Sequence, residues 1–215
     1  VFVTGTDGDN VLQFSAQNFA NLLEPRHTEH RFLDNTPPVI SIVQPQATTY
    51  THSAILTLNY SADDGAGSGV GSINPTMDGK TSLPGGVGLQ SGQQIRLLKE
   101  LLLGQHTFTV SATDNVNNTS TASVTFTIVV TAQSIIDDVA QLVNDGSIDN
   151  DGTANSLTVK LQHAADARAA GDCSRAANLY SAFISEVQAQ SGKHVSADAA
   201  AILVGDAQFL IANCP

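Results

Sequence analysis

The sequence predicts an all-β sandwich followed by a separate all-α four-helix bundle, with part of another sandwich in front. Three observations predict this. Residues 8–18, GDNVLQFSAQN, echo residues 104–114, GQHTFTVSATD, at a constant offset of 96 residues. That offset is the length of one two-sheet β domain of about 100 residues. Short alternating apolar runs separated by Gly, Pro, Asn and Asp clusters fill residues 36–131, as strands and turns do. From Ala132 the apolar period lengthens to that of a helix.

Residues 1–35 read as two or three strands. Phe2 and the alternation of Leu12, Phe14 and Ala16 against Val11, Gln13 and Ser15 supply one, after the turn residues Thr6 to Asn10. His27 to Leu33 supplies the returning strand. The second copy of the echo lies at the end of its unit, so the first should too, yet few residues precede it. The chain is therefore expected to begin partway through a repeat. Such a hairpin is marginal alone and needs a sheet to join.

Pro37 and Pro38 make a stiff joint, because proline fixes φ and keeps the preceding residue extended. Val39 to Val43 opens a strand, and Ala54 to Tyr60 reads as one core strand. A Gly/Ser loop spans Asp63 to Ser72, Ile73 to Met77 is a short strand, and Asp78-Gly79 is a tight turn. Gln94 to Leu102 has helical apolar density, but its place in the repeat favours a strand. Phe108 to Ala112 and Ser123 to Val129 are the last two strands.

The first helix carries Ile135, Ile136, Val139, Leu142 and Val143 and stops at Gly146. The second opens at Ser156-Leu157 and stops at Gly171. Asp172 or Ser174 caps the third, which carries Tyr180, Phe183 and Val187. Ser196 caps the fourth, through Leu203, Ala207 and Leu210. Short turns between four helices predict a compact antiparallel bundle.

Twenty acidic residues against nine basic give a net charge of −11. Such a chain neutralises few phosphates, which argues against nucleic-acid partners and anionic membrane surfaces. No apolar run approaches the roughly 18 residues of a membrane span. The Thr, Ser, Asn and Gly bias is one found in exported bacterial repeats, so the expected location is extracellular or the cell surface. In that setting the even cysteine count suggests a Cys173–Cys214 disulfide, which would tie the start of the third helix to the end of the fourth. Two unrelated buried thiols are the alternative.

The Asn35-Thr36-Pro37-Pro38 joint, the loop Asp63-Asp64-Gly65-Ala66-Gly67-Ser68-Gly69-Val70 and the turn Ala112 to Asn118 resemble bacterial surface Ig-like repeats. This resemblance spans residues 1–131, although both copies of the turn lack the glycine usual there. The Gly152 to Leu161 segment, followed by Phe183 to Lys193, is similar to the FIMAH domain over roughly residues 132–215. The His of that family's name motif is not present as such. The resemblance implies a small helical module at the end of a secreted hydrolase or surface protein. It supplies no catalytic residue.

Asp63, Asp64 and Asp114, with Asp34 at the joint, are candidate calcium ligands if they gather at one end of the sandwich. Turn aspartates more often bond their own backbone. No other cofactor is expected. Asp149-Asn150-Asp151-Gly152 looks like part of a calcium loop, but Ser147 and Thr158 occupy positions that should be acidic, so it reads as a helix cap. His27 and His30, three apart on a strand, point to opposite faces. No nucleophile elbow and no Cys/His nucleophile pair occurs. Trp is absent, which weakens polysaccharide binding.

The expected role is thus a non-catalytic accessory region of a larger secreted or surface protein, an Ig-like spacer or docking domain plus a terminal helical module. Its partner through residues 1–35 is the upstream part of the same precursor or a neighbouring chain. The alternatives are an assembly subunit that completes its partial sheet with a partner, and a glycan-binding module.

Overall fold

The computed structural model describes residues 5–214, so the strand position expected of Phe2 lies outside the described residues. Two strands come first, β1 (Gly8–Phe14) and β2 (His27–Leu33), paired antiparallel from Gly8 against Leu33 to Phe14 against His27. Both copies of the echo open the first strand of an antiparallel hairpin on a glycine with positive φ, 110° at Gly8 and 119° at Gly104. Only glycine adopts that conformation without strain. The echo therefore marks a shared backbone feature.

Eight further strands follow: β3 (Val39–Gln44), β4 (Thr49–Thr51), β5 (Ile55–Thr57), β6 (Asn59–Asp63), β7 (Val70–Met77), β8 (Gln94–Arg96), β9 (Gly104–Asp114) and β10 (Thr119–Val129). One layer is a four-stranded sheet in the order β4-β10-β9-β7, with β4 parallel to β10. The other layer holds two short pairs, β3 with β6 and β5 with β8. The sheets do not close. Along β9, Phe108, Val110 and Ala112 point inward, where they meet Leu56, Leu58, Tyr60, Phe126 and Ile128. The outward positions of β9 and β10 are Thr and Ser, whose hydroxyls pair across the strands at 2.9 to 3.3 Å from Thr107–Thr125 to Thr113–Thr119.

Two strand expectations need correction. Ala54 to Tyr60 is two strands, because the chain at Leu58 leaves the β8 ladder and joins that of β3. Leu58 stays buried and bonded to Gly92 and Gln93. Gln94 to Leu102 is a three-residue strand followed by a single helical turn, α1 (Leu97–Glu100). Both sequence signals were present there, one after the other.

The helices are α2 (Ala132–Asn144), α3 (Asp151–Ala169), α4 (Cys173–Gln190) and α5 (Ala197–Ala212). Each packs on two neighbours, and together they close a bundle around Ile135, Leu142, Leu161, Phe183 and Leu203. Their N-termini are capped by Thr131, Asn150, Asp172 and Ser196, whose side chains accept the first free backbone N–H groups. The second helix thus begins five residues before Ser156. Asn150 outcompetes Ser156 as a cap because Gly152 is tolerated in a first turn, and Thr153 supplies the N–H at 2.8 Å. Cys173 and Cys214 form a disulfide, with Cα atoms 5.8 Å apart.

The β and α regions share an interface. Leu98 of α1 is 2% exposed inside the helical core, and Leu103 packs against both cores. Fully burying a leucine is worth about 1.5–3 kcal/mol. Gln141 of α2 donates to the Ser53 carbonyl at 2.6 Å. Asp145, at the end of α2, pairs with Lys99 at 2.7 Å and Arg96 at 3.0 Å. Burial raises the Asp145 pKa, but donors on Lys99 and Ser147 outweigh it and hold it at about 2. Because the folded value lies below the ordinary 3.8, this contribution is present above that pH and is lost as the pH falls toward 2. Solvent screening keeps it under about 2 kcal/mol. Urea titrations at about pH 5 and about pH 2.5 should therefore show a larger loss for the native chain than for Asp145→Asn.

Candidate functional site

Among the described residues, two groups of three acidic or histidine side chains come close enough to hold a metal ion. The first lies beside the Pro37-Pro38 joint. Asp34, Asp64 and Asp114 bring one oxygen each to within 4.8 Å of the others. Asp63, expected with them, is elsewhere: it is exposed, and its Oδ1 accepts from the Gly65 N–H at 3.0 Å. Asp63 ends β6 and Asp64 begins the loop that follows, where it turns toward Gly69. The three that meet accept many bonds from the chain itself. Asp34 accepts from Ser68 N–H at 2.7 Å, and Asp64 from Gly69 N–H at 2.7 Å. Asp114 accepts from Val116 and Asn118 N–H at 2.8 Å and from the Asn118 amide at 2.7 Å. Donors on Ser68 hold the Asp34 carboxyl below the usual carboxylate range. Asp64 Oδ1 is buried and has no donor.

The second cluster lies between the two regions. The chain leaves β4 at Thr51, turns through His52 and Ser53, and crosses to the other layer. The His52 N–H donates to the Val129 carbonyl at 2.9 Å, which holds the residue against the start of the helical region. Asp138 sits in the second turn of α2, on the stripe of Ile135, Val139 and Leu142. Asp206 sits on α5, on the stripe of Leu203, Ala207 and Leu210. All three are buried: His52 is 4% exposed, Asp138 0% and Asp206 1%. Their ligand atoms lie within 4.8 Å of one another.

His52 Nδ1 is 2.9 and 3.0 Å from the two Asp206 oxygens. Its Nε2 is 3.1 Å from the Leu101 carbonyl, which can only accept. Nε2 therefore carries a proton. Neither Asp138 oxygen has a donor. Burial first, then the Asp206 carboxylate, pushes the Asp138 pKa up to about 9. Burial works against charge on His52, but the bond and charge of Asp206 outweigh it and raise its pKa. Without a metal, Asp138 is thus held as a neutral acid beside the His52–Asp206 pair.

A histidine on an aspartate suggests a general base, but this ring cannot act as one. Its far nitrogen is committed to a backbone carbonyl and its near nitrogen to Asp206, so neither is free for a substrate proton. A cavity of about 390 Å³ opens next to the cluster, lined by His52, Leu98, Leu101, Ile202, Gly205 and Asp206 among others. Its walls are mainly apolar.

Sequence reasoning singled out none of His52, Asp138 and Asp206. The histidines do scatter: His27, His30, His106 and His194 each meet a different acid. His52 differs in being buried with two acids. The signal that could have found this cluster was an aspartate on the apolar stripe of each of two helices.

Residues 132–212 match the family model of the FIMAH domain. No curated protein matches the chain. Among solved structures, the fibronectin(III)-like modules of Clostridium thermocellum CbhA align with 16% identity over 42% of this chain and 95% of that one, at a TM-score of 0.29. No described helix is long and apolar enough to cross a membrane.

Proposed function

We propose that this chain, a β-sandwich region joined to a FIMAH domain, is a non-catalytic accessory region of a larger exported bacterial protein, with a hydrolase as the parent. The sandwich spaces or docks, and the helical domain is fastened beside it, at the cell surface or outside the cell. The observation that carries this reading is the interface. Leu98, Leu103, Asp145 and the His52–Asp206 pair fasten the two regions, as a rigid spacer requires. Ordinary domain contacts within a chain are more polar and more mobile. Small-angle scattering tests it: one rigid shape should fit the data for residues 36–215, whereas a distribution of interdomain distances would overturn it.

A second reading, an assembly subunit, is favoured by the β1–β2 hairpin. Among the described residues neither strand has another partner, and Val11, Phe14, Phe19, Leu22, Leu23 and Phe32 are exposed. An unpaired edge beside apolar surface is a template for strand addition. The occupant is the upstream part of the same precursor or a neighbouring chain. Light scattering of the purified chain should then show concentration-dependent oligomers that Phe14→Lys and Phe32→Lys disperse. A monomer at all concentrations leaves the spacer reading alone.

The calcium proposal narrows to Asp34, Asp64 and Asp114, favoured by the buried, donor-free Asp64 Oδ1. Millimolar calcium should raise the melting temperature of the native chain and not that of Asp64→Asn. Equal responses remove this proposal. Glycan binding is weaker still, and an array with no binder removes it.

A further inference from the structure

We propose that His52, Asp138 and Asp206 bind one first-row divalent cation of the zinc class, riveting the sandwich to the helical domain.

The donor set suits it. Imidazole nitrogen with carboxylate oxygen is the chemistry that zinc and its first-row neighbours prefer, whereas calcium and magnesium favour oxygen alone. The tautomer is fixed for it. The Leu101 carbonyl takes the Nε2 proton, leaving Nδ1 to face the carboxylates. This backbone partner behind a ligating histidine is the usual second layer of a metal site. The spacing fits as well. Nδ1 and one oxygen of each carboxylate lie within 4.8 Å of one another, near enough for one cation to reach all three.

The independent observation is Asp138. It is fully buried, both its oxygens lack a donor, and it is aimed into the cluster. A buried carboxyl with no donor must either keep its proton or meet something electropositive, and a divalent cation that displaces the proton supplies the second. An imidazole, two carboxylates and a divalent cation sum to zero charge, so loading leaves no net charge buried. Three protein ligands leave coordination positions open. The cavity of about 390 Å³ that touches His52 and Asp206 offers room for water there and a way in. One ligand comes from the sandwich and two from the helices, so the cation would join the two regions at the point where His52 meets α2 and α5.

The test uses the full chain, stripped with a chelator and dialysed. Zinc chloride is titrated by calorimetry, and the loaded protein is studied by X-ray absorption at the zinc edge. The expected result is one zinc per chain, a first shell with one imidazole and oxygen otherwise, and a raised melting temperature. Asp138→Asn keeps the shape of the side chain and should weaken binding at least ten-fold. Zinc held by the exposed histidines would instead leave Asp138→Asn unaffected, and that overturns the proposal. So does the absence of stoichiometric binding, which would mean that the cluster holds protons only. If Asp138→Asn does not fold, the absorption spectrum of the native chain decides alone, since two or more imidazoles per zinc would also overturn the site. None of these outcomes bears on the spacer reading, which is tested by shape.

Discussion

Replacing His52 with alanine in the chelated protein should lower unfolding stability by about 3–5 kcal/mol, the cost of breaking a buried ion pair on one side. The magnitude follows from what is left behind. Asp206 is 1% exposed and loses the ring that faces both its oxygens. Asp138 is fully buried beside it. Two carboxyls then share an apolar interface with no counter-charge. Asp206 must take up a proton or draw in water, and either disturbs the packing of α2 against α5. The double variant His52→Ala with Asp206→Ala should lose less than the sum of the two single losses, because the second change removes the group the first left stranded. Guanidinium unfolding of the four proteins closes the cycle. Additive losses would mean that the pair is not coupled. Scanning calorimetry adds a second readout. If the pair fastens the two regions, His52→Ala should split one transition into two, with the β region and the helical bundle melting apart.

The elements that were legible in the sequence are those whose signal is local. The β-to-α change at Ala132 rests on a change of period, and three of the four bundle caps lie where a Ser, Thr or Asp precedes an apolar stripe. The disulfide was legible because only two cysteines exist. Asp149 to Gly152 was readable as a cap, but the second helix was placed from Ser156, because Gly152 in a first turn weakens the helical signal before it. Asp34, Asp64 and Asp114 were nearly legible, since all sit at or beside strand ends at one end of the sandwich, but choosing between Asp63 and Asp64 needed the point where β6 ends. His52 was not legible at all. It finds Asp206 across 154 residues, through a fold in which a β-turn meets the middle of the last helix. No period or motif encodes such a meeting. What the sequence does carry is the misfit: Asp138 and Asp206 occupy core positions where their neighbours are Ile, Val, Leu and Ala. A charged residue on the buried stripe of a helix requires a partner from elsewhere, and here both requirements are met at one place.

Reduction of the Cys173–Cys214 disulfide, or Cys214→Ser, should cost up to about 4 kcal/mol, because the bond closes a loop of 41 residues and removes their freedom from the unfolded chain. The native fold should survive the loss. The helical core around Leu161, Phe183 and Leu203 does not include either cysteine, and Arg168 separately holds the end of α5 through the carbonyls of Leu210 and Asn213. Far-UV circular dichroism should therefore be nearly unchanged at room temperature, while the urea midpoint falls. A loss below about 1 kcal/mol would mean that the reduced chain already keeps its ends close. The site of the loss matters for the interface. Cys214 anchors the last turn of α5, and the same helix carries Asp206 two turns earlier. If reduction lets α5 fray back toward Asp206, the His52 pair loosens with it. The two perturbations should then be non-additive: His52→Ala costs less in the reduced protein than in the oxidised one. Additive losses would place the disulfide as a clamp on the bundle alone. Non-additive losses would make the oxidised terminus part of what keeps the helical domain fastened to the sandwich.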